Sequence, residues 1–302
     1  MKTLKRIVSL FRSIIIEKII KYLDPVIRRR IPNSNLYIYS KLSHVRSNEN
    51  EMIRIANYLV KCEGDLKMID VGANIGVVTL LTYNSIKKGE YFCIDGNDDF
   101  FPLLQKNLMQ VPGSTCEKIY LSDKIEKRPI EIKVYVNTAN ILESSEGKMT
   151  DFMTLDEVCL KNKIDPNFIK IDTDGYDSKI IRGLTRLLST KEAIVIYFEY
   201  APMHQVFNKI EKDPVDIFRF LNQYGFDDFY FYDDKGSFFG HFKISDIELI
   251  DQLTKYCLSS CTLYNVLVFH RNNKKFKEIY EAGEKIYIEE TIDKWGEWWK
   301  KR

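Results

Sequence analysis

Short apolar runs bounded by turn residues alternate along most of this chain with longer stretches whose apolar positions recur every three or four residues. The first pattern suits buried strands of a parallel sheet, and the second suits helices packed on them. Read this way, the chain predicts strands over 67–71, 91–94, 117–121, 168–171, 193–198, 229–232 and 265–269. Helices are predicted over 51–61, 75–86, 98–110, 154–163, 178–188 and 214–224, with Thr154 as a cap and Asp177 placed to cap the helix after it. Positions 130–136 alternate polar and apolar as a half-exposed strand does. The small, polar stretch 138–150 is expected to be a loop over the substrate side. Strands alternating with helices specify an α/β domain over 51–270.

The stretch 1–32 departs from this pattern. It holds nine Lys or Arg against Glu17 and Asp24, and Leu4, Ile7, Val8, Phe11, Ile14, Ile15, Ile19 and Tyr22 form one apolar stripe at helical spacing. Two readings stay open: a helix docked on the domain, or one lying on an anionic membrane surface with Arg28, Arg29 and Arg30 adding attraction. Arg12 and Glu17 interrupt the apolar run that a signal peptide or a spanning helix requires, so a cytoplasmic location is expected, peripheral at the inner face of the membrane under the second reading. After His270 the chain turns charged, with Trp295, Trp298 and Trp299, and 271–302 reads as a helical extension.

Composition narrows the classes. A hydrophobic fraction of 45% with 29% charged residues suits a globular protein, and a net charge of +2 argues against a dedicated nucleic-acid binder. The six cysteines show no zinc-type spacing and fit a reducing compartment. Cys257 and Cys261, four apart, are expected to be buried small apolar residues, and most aromatics of 226–239 are expected in the core, with a sugar-stacking platform as the minor alternative.

The chemistry concentrates where strands end. Lys67-Met-Ile-Asp-Val-Gly-Ala-Asn-Ile-Gly76 reads as a strand, a tight glycine turn and a helix. Gly72 and Gly76 allow unusual dihedrals and a ligand's close approach, and Asp70 stands at the strand's carboxyl end, where open α/β sheets bind ligands. Asn74 occupies the place of the second glycine of a nicotinamide-binding fingerprint, so that function ranks low. Tyr91-Phe-Cys-Ile-Asp-Gly-Asn97 places Asp95 roughly twenty residues past the turn, as a ribose-binding acid is placed. Phe168-Ile-Lys-Ile-Asp-Thr-Asp-Gly-Tyr-Asp177 puts Asp172 and Asp174 at the carboxyl end of a central strand, and His204 is expected in a loop facing the same crevice.

Together these three stretches resemble the FkbM family of class I S-adenosylmethionine-dependent methyltransferases, over roughly 51–270. The last, similar to the family's Lys-Ile-Asp-x-(Glu/Asp)-Gly signature, is the most specific. The resemblance implies a Rossmann-like sheet of about seven mostly parallel strands, the last inserted antiparallel, with helices on both faces. It implies S-adenosyl-L-methionine held by Asp70, Gly72, Ala73, Asn74, Gly76, Asp95, Asn97 and Asp172, with Ser122 and Asp123 beside the adenine. It also implies O-methylation of a hydroxyl-bearing acceptor, a saccharide of a surface glycan or its precursor, with Asp174 handling the hydroxyl and His204 competing for that role. Two alternatives stay open. Asp-Thr-Asp-Gly-Tyr-Asp-Ser is also similar to a stretch of macrocin-type, divalent-metal-dependent sugar methyltransferases. That group carries a further pair of acids after the fifth strand, where this chain has only Glu199 followed by Tyr200, so no metal ligand is assigned. The other is a non-catalytic binding module with the same fold.

Overall fold

The protein is described by a computed structural model, which covers residues 26–41, 50–135 and 138–300. In chain order, β1 (Val26–Arg30) and β2 (Tyr37–Lys41) form a hairpin, and β3 (Lys67–Val71), β4 (Glu90–Ile94) and β5 (Ser114–Glu117) enter the main sheet. β6 (Tyr120–Leu121), β7 (Glu126–Tyr135), β8 (Thr138–Glu143) and β9 (Lys148–Met153) make a separate four-stranded sheet. β10 (Phe168–Ile171), β11 (Val195–Tyr200), β12 (Asp228–Tyr232), β13 (Phe238–Lys243) and β14 (Tyr264–Phe269) complete the main sheet, whose order is β13-β12-β14-β11-β10-β3-β4-β5. β14 runs antiparallel between β12 and β11, β13 folds back on β12, and the remaining neighbours pair in parallel.

The central strands are strands because both their faces are covered. Every residue of β10 and β12 is buried, and alternate side chains feed two cores. Ile69, Ile169 and Ile196 point into one core, while Met68, Phe168, Val195 and Tyr197 point into the other. The chain runs outward from β3 to β4 and β5, then returns to the far side of β3 as β10. Strand order therefore reverses between β3 and β10, and a crevice opens at their carboxyl ends.

Several elements differ from expectation, each for a local reason. Residues 1–25 lie outside the described residues, but Val26–Arg30 is a strand, so no helix runs to residue 32. The turn at Asn33 (φ 54) reverses the chain, and the side-chain amides of Gln110 and Asn107 accept from the main-chain N–H of Tyr37 and Tyr39 at 2.8 and 2.7 Å. The strand expected over 117–121 is split: the edge strand β5 has one neighbour and little apolar content, and Tyr120–Leu121 leaves to pair with β9. The expected loop over 138–150 is the β8–β9 hairpin, since a partly exposed sheet demands no long apolar run. The helix expected over 178–188 breaks into Asp177–Arg182 and Thr185–Thr190. A Cβ on Gly183 would lie 2.6 Å from the Ser122 carbonyl oxygen, and Asp156 accepts from the Arg186 and Leu187 N–H groups at the new start. Thr154 does cap the helix Leu155–Asn162, accepting from Glu157 N–H at 3.2 Å. The helix Ile247–Ser260 and β13 had no expectation; Cys257 is buried, but Cys261 ends that helix exposed, at φ 55.

The charged C-terminal stretch forms the helix Lys274–Lys300, docked along the helix Asn50–Glu63. Phe276, Tyr280 and Glu284 are buried there, and Glu284 receives the Arg54 guanidinium at 2.8 Å. Among the described residues no helix is long and apolar enough to cross a membrane.

Candidate active site

At the end of β3 the chain turns through Gly72 (φ 68), Asn74 (φ 52) and Gly76 (φ 80) into the helix Val77–Ile86. A Cβ on Gly72 would stand 1.8 Å from the Asp172 carbonyl oxygen, and one on Gly76 would stand 2.9 Å from Leu104 Cδ1. Glycine is thus required at Gly72 by the approach of the Asp172 main chain and at Gly76 by the left-handed φ. Ala73 and Asn74 bind across to the neighbouring strand: Ala73 N–H donates to Ile94 O at 3.0 Å and Asn74 N–H to Asp95 Oδ2 at 2.8 Å.

Beneath the turn lies a buried charge that the sequence reading passed over. The parallel register sets Lys170 directly beside Asp70, and Lys170 Nζ sits 3.2 Å from Asp70 Oδ1, 3.3 Å from Asp172 Oδ2 and 3.1 Å from Gly72 O. Asp70 Oδ1 has the ion pair but no hydrogen bond of good geometry, while Oδ2 accepts from Thr79 Oγ1 at 2.9 Å. Asp70 is fully buried and anchors Lys170, which ties the turn to β10. A lysine in the otherwise apolar Phe-Ile-Lys-Ile run was the available signal, since a buried ammonium demands a paired acid.

Asp95 ends β4 nearly buried, its Oδ1 accepting from Asn97 N–H at 2.8 Å opposite the bond from Asn74. Burial pushes its carboxyl up to about 6, against the opposing pull of those two amides. Asn97 is spent on structure, accepting from Asp99 and Phe100 N–H ahead of the helix Phe101–Leu108. The Tyr120 ring lies against Gly96, where a Cβ would come 2.4 Å from its Cε1. Two residues on, Ser122 is buried and donates to Asp123 at 2.9 Å; Asp123 lines an open cleft of about 530 Å³ with Lys124, Glu126, Arg128, Ser144 and Lys179. Arg128 stacks over Phe152 at 4.4 Å and donates to Tyr176 Oη at 2.9 Å, which joins this cleft to the loop after β10.

That loop carries Asp172, whose side chain is 47% exposed, and Asp174, left-handed at φ 52. Asp177, expected to cap a helix, instead holds the loop: its carboxylate accepts from Thr173 N–H and Oγ1, from Gly175 N–H and from Glu199 N–H at the end of β11. Gly175 packs so tightly that a Cβ there would be 2.7 Å from His204 Cβ. His204 belongs to the helix Pro202–Phe207 rather than to a loop, Pro202 opening it. The result joins Asp174 and His204 with Glu199, the lone acid after the fifth strand to which no site role was assigned: one ligand atom from each lies within 4.8 Å of the others. Burial, then the Asp172 charge, raises both the Glu199 and the Asp177 carboxyls, the latter to about 7, and burial lowers the His204 imidazole.

The model of the methyltransferase FkbM domain matches residues 70–227, just over half of the chain. The chain belongs to the FkbM methyltransferase family. The match spans every strand-end residue just described, and the cofactor expected of a member of this family is S-adenosylmethionine. A hexuronic acid methyltransferase, AglP of Haloferax volcanii, is 26% identical over 151 residues, 49% of this chain and 61% of that protein. The chain therefore spans about six-tenths of the length of that relative. Among solved structures, precorrin-6y C5,15-methyltransferase from Geobacter metallireducens is similar at a TM-score of 0.37 and 15% identity, over 72% of this chain and 87% of that one. An O-methyltransferase from Bacillus cereus in complex with SAH is similar at 0.40 and 9%, over 75% and 83%.

Proposed function

We propose that this methyltransferase acts on a hydroxyl oxygen of a saccharide, with a hexuronic-acid unit as the first acceptor to test. The observation that carries it is the carboxylate and imidazole group of Asp174, Glu199 and His204, gathered at the crevice beside the Gly72 turn. The residues fit the cofactor: Asp95 keeps lone pairs for ribose hydroxyls, half-exposed Asp172 offers a carboxylate to an amino group, and the Tyr120 face beside Gly96 suits a base. When bound, S-adenosylmethionine supplies a methyl group already activated on a sulfonium. The remaining work is the chain's: to align the acceptor, exclude water and take a proton. A bond forms between the hydroxyl oxygen and the methyl carbon, the carbon–sulfur bond breaks with its electron pair staying on sulfur, and the proton passes to the Asp174 group. The cleft, where Lys124, Arg128 and Lys179 outnumber Asp123 and Glu126, supports an anionic sugar, as does the relative AglP, a hexuronic acid methyltransferase.

Calorimetry with S-adenosylmethionine and a methyl-transfer assay on uronic-acid oligosaccharides test this together. Two hydrogen bonds to a carboxylate are worth roughly 2 to 4 kcal/mol, so Asp95→Ala should bind the cofactor more than about tenfold more weakly. Unchanged affinity in that variant removes Asp95 from the site, and absence of transfer to any saccharide removes the acceptor class.

A further inference from the structure

We infer that Asp174, Glu199 and His204 form a binding site for one divalent transition-metal cation of the Mn²⁺ class, on the acceptor side of the crevice. The three residues come from three separate places, the loop after β10, the end of β11 and the helix Pro202–Phe207, yet their ligand atoms converge within 4.8 Å. Two of those side chains hold atoms that nothing satisfies. Residue 199 as a whole keeps some surface, but its side chain is buried, and Oε2 has neither solvent nor a hydrogen-bond partner. His204 Nδ1 is likewise sealed and unpartnered. A buried carboxylate oxygen and a buried ring nitrogen without partners, in two residues whose ligand atoms converge, are costly as purely structural groups, and a cation between those residues offers both a partner.

The spacing suits an empty site. Metal–ligand bonds of about 2.0–2.2 Å put three ligands on one cation roughly 3–3.6 Å apart, so closure from a spread of up to 4.8 Å asks each ligand atom to move inward by up to about 1 Å. The second layer is already built. Asp177 pins both the Asp174 loop and the Glu199 main chain, and the His204 ring touches the Asp174 main chain, as metal ligands are commonly held. One imidazole with two carboxylates favours Mn²⁺ or Zn²⁺ over Mg²⁺ or Ca²⁺, which prefer all-oxygen shells. The ligand set also removes the objection that a second acid is missing after β11, because His204 supplies the third group. The cation's role rests on the hydroxyl-transfer reading above: it would act as a Lewis acid on the acceptor oxygen and lower the hydroxyl's pKa, so that the Asp174 carboxylate oxygen left uncoordinated can take the proton.

The test uses the full chain, stripped with a chelator and titrated with Mn²⁺, free ion being followed by electron paramagnetic resonance and bound ion by calorimetry. One Mn²⁺ per chain is expected, with Glu199→Gln and His204→Gln each weakening it more than about tenfold. Asp174→Asn, on a less buried residue, gives the same result if either of those variants fails to fold. S-adenosylmethionine affinity should stay within about twofold in all three. Absence of stoichiometric Mn²⁺ binding, binding untouched by these variants, or methyl transfer that survives exhaustive chelation each overturns the site. Sensitive Mn²⁺ binding without transfer to any saccharide leaves the site standing and removes only the acceptor reading.

Discussion

Replacing Lys170 with methionine probes the charge that joins the glycine turn to β10. The ammonium is 3% exposed and the Asp70 carboxylate 0%, at 3.2 Å, so neither is solvated when its partner is lost. At an effective dielectric of about 20 the pair is worth roughly 5 kcal/mol, and breaking a buried pair by removing one partner typically costs about 3–5 kcal/mol. The partner on the other side, Asp172, is half-exposed and adds little. We therefore expect Lys170→Met to lose about 3–5 kcal/mol in urea denaturation, a large share of a typical 5–15 kcal/mol domain, and to melt roughly 6–20 °C lower. Methionine keeps the length of the stem, so packing loss should be small. Adding Asp70→Asn removes the stranded charge, and the double variant should regain most of the loss. A single variant within about 1 kcal/mol of the parent refutes the reasoning, as does a double variant as unstable as the two losses added together.

Two further outcomes are expected. Asp95 releases its proton at about 6 when folded and at about 3.8 when unfolded, so between these values only the folded chain holds it. Its contribution to cofactor-free stability is fully present below 3.8 and is lost as pH rises through about 6, at most roughly 3 kcal/mol. Urea unfolding of the parent and of Asp95→Asn from acid to neutral pH should differ by that slope, and parallel curves count against the buried carboxylate. Phe276, fully buried and 5.1 Å from the Phe269 ring, should cost about 3–5 kcal/mol as Phe276→Ala. A loss below about 1 kcal/mol would show that the C-terminal helix is an appendage rather than part of the core.

What could be read from residue order alone is what buried strands impose on it. Continuous apolar runs flag β3, β4, β10 and β11, and the acids that end them mark the crevice, because parallel strands are covered on both faces and their carboxyl ends are not. Edge and half-exposed strands face no such demand, so β5, β8, β9 and β13 left no reliable trace. Roles decided across strands were also hidden. That Asp70 anchors a buried lysine follows from the register placing Lys170 beside it. That Gly72 yields to the Asp172 main chain follows from packing between elements. Glu199 looked like one acid at a strand end. It became part of a group only when Asp177 drew the loop of Asp174 onto β11 and the helix Pro202–Phe207 brought His204 against that loop. Such convergence depends on distances between segments far apart in the chain, which local spacing does not encode.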